Sequence, residues 1–580
     1  MIRRLLLNLF VPLALVSCGE GDKPSDVTSL DAPAGVACLN ATDNSLEFSW
    51  TAVPGAQGYG YRLTAGSKAA GSGSTADTRV TVGSLEPETS YSFQVYAEAG
   101  SVRSTYSMVV TARTTGGTAP DPGTDPSVRT VCVDTPLVFE FAGPVTLGSS
   151  GLVQVFSSDG KVVDKIDLAD LATVDVREDG IMVPKEKMTA ETKFNTFMDA
   201  VYGASGCYRV VHYTPLRTDG RRLSVKLHSN VLEFGKSYYA TVDKAVTGQS
   251  DARIDFAVKA RPSGATFRVN PDGSGDFCTV QGAISHAATL TKNDKVTIEV
   301  GEGVYPEILY LRNKNNLTIK GVGKDKTKIA YANTENLCSS TGSRVSSRPA
   351  LGAAIGNPGG RSLFLVESCD MLMLEDLSIE NLIGSGDGQA ECLYFNSSDK
   401  LVIEGCSLVS WQDTFETKGK VYVHNSLIAG HVDFIWGSPS ACLFEDCEIR
   451  SRESGRYIVQ ARIPNASDKG FVFLNCRLTV ENNAANVNLA RANDHSKEST
   501  ATYDNVTFIG CTMTGVAAAG WHASPAPNPA KATAVSGWKE YGSKDASGNA
   551  LSTASRASCS RILTAAEAEP FSSREAVLGW

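Results

Sequence analysis

One short pattern, repeated along the second half of the chain, limits what this sequence can fold into. A strand of alternating character runs into a turn residue and then a small one. It reads Leu401-Val402-Ile403-Glu404-Gly405-Cys406, Val421-Tyr422-Val423-His424-Asn425-Ser426, Leu443-Phe444-Glu445-Asp446-Cys447, Val472-Phe473-Leu474-Asn475-Cys476 and Val506-Thr507-Phe508-Ile509-Gly510-Cys511. From Cys406, equivalent positions step by 20, 21, 29 and 35 residues. A constant strand core at variable intervals means stacked coils carrying loops of different length. No coil can bury its inner face alone, so each must pack on its neighbours. The pattern predicts a right-handed parallel β-helix over 263–580, a fold whose elongated groove suits a linear polymer. Cys406, Cys447, Cys476 and Cys511 read as small buried hydrophobes in one column. No cysteine pair has zinc-type spacing, and no metal site is expected.

Within this repeat stand two aspartates twenty residues apart, Asp413 in Ser410-Trp411-Gln412-Asp413-Thr414-Phe415 and Asp433 in Val432-Asp433-Phe434-Ile435-Trp436-Gly437. One coil of separation puts them on neighbouring rungs, roughly 4.8 Å apart. Two carboxyls that close do not ionise together easily, so one is held protonated. An ionised nucleophile beside a protonated acid is the division of labour that acid/base chemistry needs.

The 580 residues exceed one domain, and the net charge of −9 offers no basic footprint for nucleic acid. Residues 30–115 alternate as strands, as in Leu46-Glu47-Phe48-Ser49-Trp50 and Tyr91-Ser92-Phe93-Gln94-Val95-Tyr96. With Trp50 and Leu85-Glu86-Pro87-Glu88-Thr89-Ser90-Tyr91, this segment resembles a fibronectin type III sandwich. A Pro/Gly-rich linker follows over 116–127. Residues 128–262 resemble a bacterial Ig-like β-sandwich, read as a structural spacer. The expected fold class is therefore all-β: two β-sandwich domains, then the β-helix.

At the N-terminus, Arg3 and Arg4 precede the apolar run Leu5–Leu15, and Leu15-Val16-Ser17-Cys18 resembles a bacterial lipobox. The resemblance implies a signal peptide over 1–17, lipidation of Cys18, a polar tether over 18–29, and anchoring to the outer membrane.

Residues 263–580 also resemble the pectin methylesterases, β-helical carbohydrate esterases. The resemblance is carried by Asp272-Gly273-Ser274-Gly275-Asp276-Phe277, Gly303-Val304-Tyr305-Pro306-Glu307, Gly386-Asp387-Gly388-Gln389-Ala390, Gln412-Asp413-Thr414, Asp433-Phe434-Ile435-Trp436-Gly437 and Tyr457-Ile458-Val459-Gln460-Ala461-Arg462, in that order. It implies that Asp433 attacks the methyl-ester carbonyl of a galacturonate, that Asp413 serves as acid and then base, that Gln389 and Gln412 donate to the oxyanion, and that Arg491 holds Asp433 ionised. It implies no cofactor, a pectin substrate and a monomer. Trp436, Phe415 and Trp521 are the aromatic candidates for sugar contact. The family's Leu-Gly-Arg-Pro-Trp stands here as Leu489-Ala490-Arg491-Ala492-Asn493, which removes an aromatic platform and bears on polymer affinity more than on reaction type. The alternatives are a pectic polysaccharide-binding protein and another β-helix pectin enzyme, a lyase or hydrolase.

Overall fold

The structure, a computed structural model, describes residues 29–580 apart from 42–44, 67, 87–88, 115–127, 175–193, 339–343 and 352–357. The signal segment, Cys18, most of the tether and the linker lie outside the described residues. The chain forms two compact units, Met1–Asp125 and Pro126–Trp580.

The first unit is built from two antiparallel sheets. One holds Ala37–Ala41, Leu46–Ser49 and Arg79–Val82; the other holds Gly58–Ala65, Lys68–Thr75, Ser90–Ala99, Val102–Arg103 and Val110–Arg113. Strict alternation in Ser90–Ala99 sends Tyr91, Phe93, Val95 and Ala97 inward, where they meet Phe48, Trp50 and Leu63.

In the second unit, a five-stranded sheet and the three-stranded sheet of Leu137–Glu140, Arg222–Val225 and Leu216–Asp219 share one core. From this sandwich a long hairpin, Phe194–Ala204 and Cys207–Tyr213, reaches onto the first coils of the helix. Phe197, Val201, Val211 and Tyr213 join the same core as Phe267, Ile284 and Leu309. Tyr208 and Arg209 pair antiparallel with Val345 and Arg344 from the helical region. Asp134 accepts from the amides of Cys278 and Thr279, at the start of the helix Val280–Ala287. The second β domain is thus fused to the β-helix through shared core and shared sheet, which corrects its reading as a spacer.

The β-helix has three columns of parallel strands. One is the eight-stranded sheet beginning at Gly303–Tyr305; the other two merge into a seventeen-stranded sheet, because Phe415–His424 and Val432–Glu445 each run through both. The turn residue of the repeat explains the corners. Gly405, Asn425, Asp446, Asn475 and Gly510 all have φ between 48° and 63°, a left-handed conformation open to Gly and tolerated by Asn and Asp. The next residue then points inward, and the thiols of Cys406, Cys447, Cys476 and Cys511 donate to carbonyls two residues back. Phe444, Phe473 and Phe508 stack beneath them with centroids 4.7 and 4.4 Å apart.

Candidate active site

Parallel register decides which side chains face the groove. Phe415 pairs with Ile435, so Asp413 and Asp433, each two residues earlier, occupy the same place on adjacent coils. Both take left-handed backbone, with φ of 66° and 47°, and the Asp413 amide donates to the Val432 carbonyl at 3.0 Å. Both are nearly closed to solvent, at 6% and 4% exposure. Gln389, Gln412 and Val432 form successive parallel bridges, which places the two glutamines in one ladder beside the aspartates. Gly437 keeps the rungs close: a Cβ there would come within 2.2 Å of the Thr417 carbonyl oxygen.

Arg491 reaches the same point from two coils further on. Its neighbour Ala490 pairs with Val459 and Trp521, an inward position, so Arg491 is turned outward. Its Nε donates to both oxygens of Asp433, at 2.8 and 3.0 Å, and its Nη2 donates to Oδ2 as well. Gln460 Nε2 donates to Asp433 Oδ2 at 3.3 Å, while Arg462 donates to Gln460 Oε1 at 2.8 and 3.2 Å and so orients that amide. Burial raises the pKa of Asp433, and Arg491 pulls it back down.

Asp413 lies in a different field. Burial and the neighbouring Glu391 carboxyl push its pKa well above the usual carboxylate range, against the pull of Arg361. Arg361 donates to Asp413 Oδ2 at 3.1 Å, to Glu391 Oε1 at 2.7 Å and to Glu335 Oε2 at 3.2 Å. Glu416, on the outward face of its strand, is pushed up to about 9 by burial and by Glu391. Asp433, held by a bidentate guanidinium, is thus the better site for negative charge, and Asp413 the better site for a proton. That pair can perform nucleophilic acyl transfer with general acid/base assistance.

The aromatic candidates divide by strand parity. Trp436 is half-buried and outward, between Glu416 and Gln460 in the ladder, with the guanidinium groups of Arg361 and Arg462 5.6 and 5.1 Å from its ring. Phe415 and Trp521 do not line the groove. Phe415 is fully buried in the inner ladder between Leu393 and Ile435. Trp521 is 2% exposed and stacks on Trp538 at 5.3 Å. Both sit on the inward parity of their strands, which corrects their expected role in sugar contact.

The sequence reading missed Arg361, Glu391, Gln460 and Arg462. Glu391 carried a signal, since it shares the parity of inward Leu393 and Phe395 and is 1% exposed. Arg361 carried none, because its partners stand 30 and 52 positions away. Among the described residues, one cluster has metal-ligand atoms within 4.8 Å of one another: Cys132, Asp134 and Cys278, at the domain junction. Asp134 there is already engaged by the Cys278 and Thr279 amides and the Thr279 hydroxyl.

A family model described as pectinesterase matches residues 266–579, and a fibronectin type III model matches residues 31–113. Pectinesterase 31 of Arabidopsis thaliana is 31% identical over 214 residues, covering 37% of this chain and 64% of that protein. Putative pectinesterase 14 of the same plant is 27% identical over 334 residues, covering 55% of this chain and 89% of the relative. The chain spans less than two thirds of the length of the first of these, and 38% of pectinesterase/pectinesterase inhibitor 18. Among solved structures, pectin methylesterase PemA from Erwinia chrysanthemi aligns with a TM-score of 0.42 at 24% identity, over 55% of this chain and 98% of that one.

Proposed function

This chain belongs to the pectinesterase family by the match over residues 266–579, and from that premise we propose that it hydrolyses methyl esters of galacturonate in homogalacturonan. The observation that carries the reading is the bidentate Arg491–Asp433 pair one coil from Asp413. Asp433, ionised, attacks the ester carbonyl carbon. The resulting oxyanion accepts from the side-chain amides of Gln389 and Gln412. Asp413 gives its proton to the methoxy oxygen, and methanol leaves. Asp413, now ionised, takes a proton from water, which attacks the acyl carbon of the anhydride and releases Asp433 and the free galacturonate. Burial makes each charge transfer responsive to its partner, since preorganised donors in a dry site act with little screening.

We also propose that Trp436, with Arg462 and Arg361 against its ring, forms the sugar-contacting platform. On the lipobox residues Leu15-Val16-Ser17-Cys18 rests the proposal that the chain is exported and lipid-anchored, with the groove facing polymer as a monomer.

A second reading is favoured by one observation. The Arg361–Asp413 ion pair stabilises an ionised Asp413, and an Asp413 without its proton cannot release methanol; the protein would then bind pectic polymer without turning it over. Methanol assayed from highly methylated pectin separates the two. Release without ultraviolet-absorbing unsaturated products supports the esterase. Binding with no methanol at any pH from about 4 to about 9 supports the binding protein.

A further inference from the structure

Arg209 is fully buried on the strand Cys207–Tyr213 of the second β domain, yet its side chain makes no ion pair among those of the described residues. Its Nε donates to the Gly359 carbonyl at 3.0 Å and its Nη1 to the Leu309 carbonyl at 3.0 Å. Its Nη2 donates to the carbonyls of Gly360 and Ser362, the latter at 2.6 Å. Gly360 and Ser362 are the two neighbours of Arg361. The Gly359 amide also donates to the Val210 carbonyl at 2.9 Å, and Asn333 Nδ2 donates to the same Gly360 and Ser362 carbonyls at 3.0 and 3.1 Å.

The approach is close. Gly360 has φ of 79°, and a Cβ there would lie 3.2 Å from Arg209 Nη2. A guanidinium buried against carbonyl oxygens without a carboxylate is expensive. Burial drags its pKa down to about 10. The planar fork, with five N–H donors in fixed geometry, holds these four carbonyls in fixed relation. What it holds is the short segment from which Arg361 reaches Asp413 and Glu391.

We propose that the second β domain is a working part of the catalytic site: Arg209 is a positioning residue that fixes Arg361, and through Arg361 sets how tightly Asp413 holds its proton. The proposal rests on the esterase reading for its kinetic test. Loosening the 359–362 segment withdraws the Arg361 charge from Asp413, so Asp413 keeps its proton to higher pH. The Asp433–Arg491 pair is left in place, and Trp436 loses Arg361 from its ring but keeps Arg462.

The test is Arg209→Lys in the full chain, with Arg361→Gln and the double variant. An ammonium keeps the charge but, with three donors on one nitrogen, cannot bridge all four carbonyls. Folding is checked by circular dichroism. Expected are an alkaline limb of the kcat–pH profile moved upward, a plateau kcat at least ten times lower because the Asp413 carboxyl, freed from Arg361, is no longer oriented on the methoxy oxygen, and a KM for methylated pectin within about threefold; a tenfold change corresponds to about 1.4 kcal/mol. Arg361→Gln should move the limb the same way, and the double variant should lose less than twice what Arg361→Gln alone loses, because contacts in one network are not additive. Multiplying losses, or an unmoved limb, would overturn the proposal. If Arg209→Lys does not fold, Asn333→Ala probes the same segment with the same expectation. If the wild type releases no methanol, the functional reading has failed separately. The positioning is then read without substrate, from the pH titration of the 13C-labelled Asp413 carboxyl, assigned with Asp413→Asn. An unchanged midpoint in Arg209→Lys would refute it.

Discussion

Replacing Arg491 with lysine tests how the proposed nucleophile is kept charged. Asp433 takes Nε contacts at 2.8 and 3.0 Å and a further one from Nη2. A lysine ammonium can supply one of these at best and cannot match the planar fork. A hydrogen bond to a charged group contributes about 1.5–3 kcal/mol. The Arg491 side chain is 34% exposed, so solvent screening argues for the lower part of that range, roughly 2 kcal/mol. At 1.36 kcal/mol per pKa unit, the Asp433 carboxyl rises by about 1.5 units. Burial already pushes this group up and Arg491 holds it down, so the sign is fixed: less of the enzyme is ionised at Asp433 on the acid side. The acid limb of kcat/KM for methanol release therefore moves up by about 1.5 pH units, and the rate on that limb falls roughly thirtyfold. On the plateau the loss is smaller. A variant that lowers activity evenly at all pH values, with its acid limb unmoved, would refute the assignment of Arg491 as the group that keeps Asp433 ionised.

Further outcomes can be checked independently. Gln412→Ala should lower kcat by about 10²–10³ with little change in KM, the loss expected for one oxyanion donor; a change in KM alone would contradict that role. Trp436→Ala should raise KM for polymer while leaving the denaturant midpoint nearly unchanged, whereas Trp521→Ala, on the inward parity, should cost about 3–5 kcal/mol of stability. Glu416 is pushed up to about 9 from an ordinary value of 4.5. A carboxyl with a raised folded-state pKa binds its proton more tightly folded than unfolded. Its contribution is therefore full below about pH 4.5 and is lost as pH climbs towards about 9. Glu416→Gln should flatten the fall of the melting temperature across that interval; an unaltered slope would show that another group carries it. Cys18→Ala should shift the expressed protein from the membrane fraction to the soluble fraction if Cys18 is lipidated.

The sequence made the solenoid legible because its corner chemistry repeats. Gly405, Asn425, Asp446, Asn475 and Gly510 occupy one structural place, and the cysteine after four of these corners, with Ser426 after the other, is the small residue a tight stack requires. The same period put Asp413 and Asp433 on adjacent rungs, and Arg491 was found from its motif. Of the aromatics, Phe415 was misjudged because nearness to Asp413 in the chain is not nearness in space, and Trp521 because its parity was not read. Phe415 lies two residues after Asp413 yet points into the core, while Trp436, one step further along its strand than Ile435, faces out. The Arg361–Glu391–Asp413 network was invisible for another reason. It joins groups from separate coils and a long connection, and no period links them. The second β domain looked like a spacer because its strands alternate as any sandwich does. Nothing in that alternation marks Arg209 as the residue that reaches across into the first coils.

The most direct test of the whole account is methanol release from highly methylated pectin by the wild type and by Asp433→Asn, at matched concentration and with the fold of each confirmed by circular dichroism. Release by the wild type and none by the variant is the predicted result. Equal release by both would remove Asp433 from the reaction and, with it, the mechanism proposed for this site.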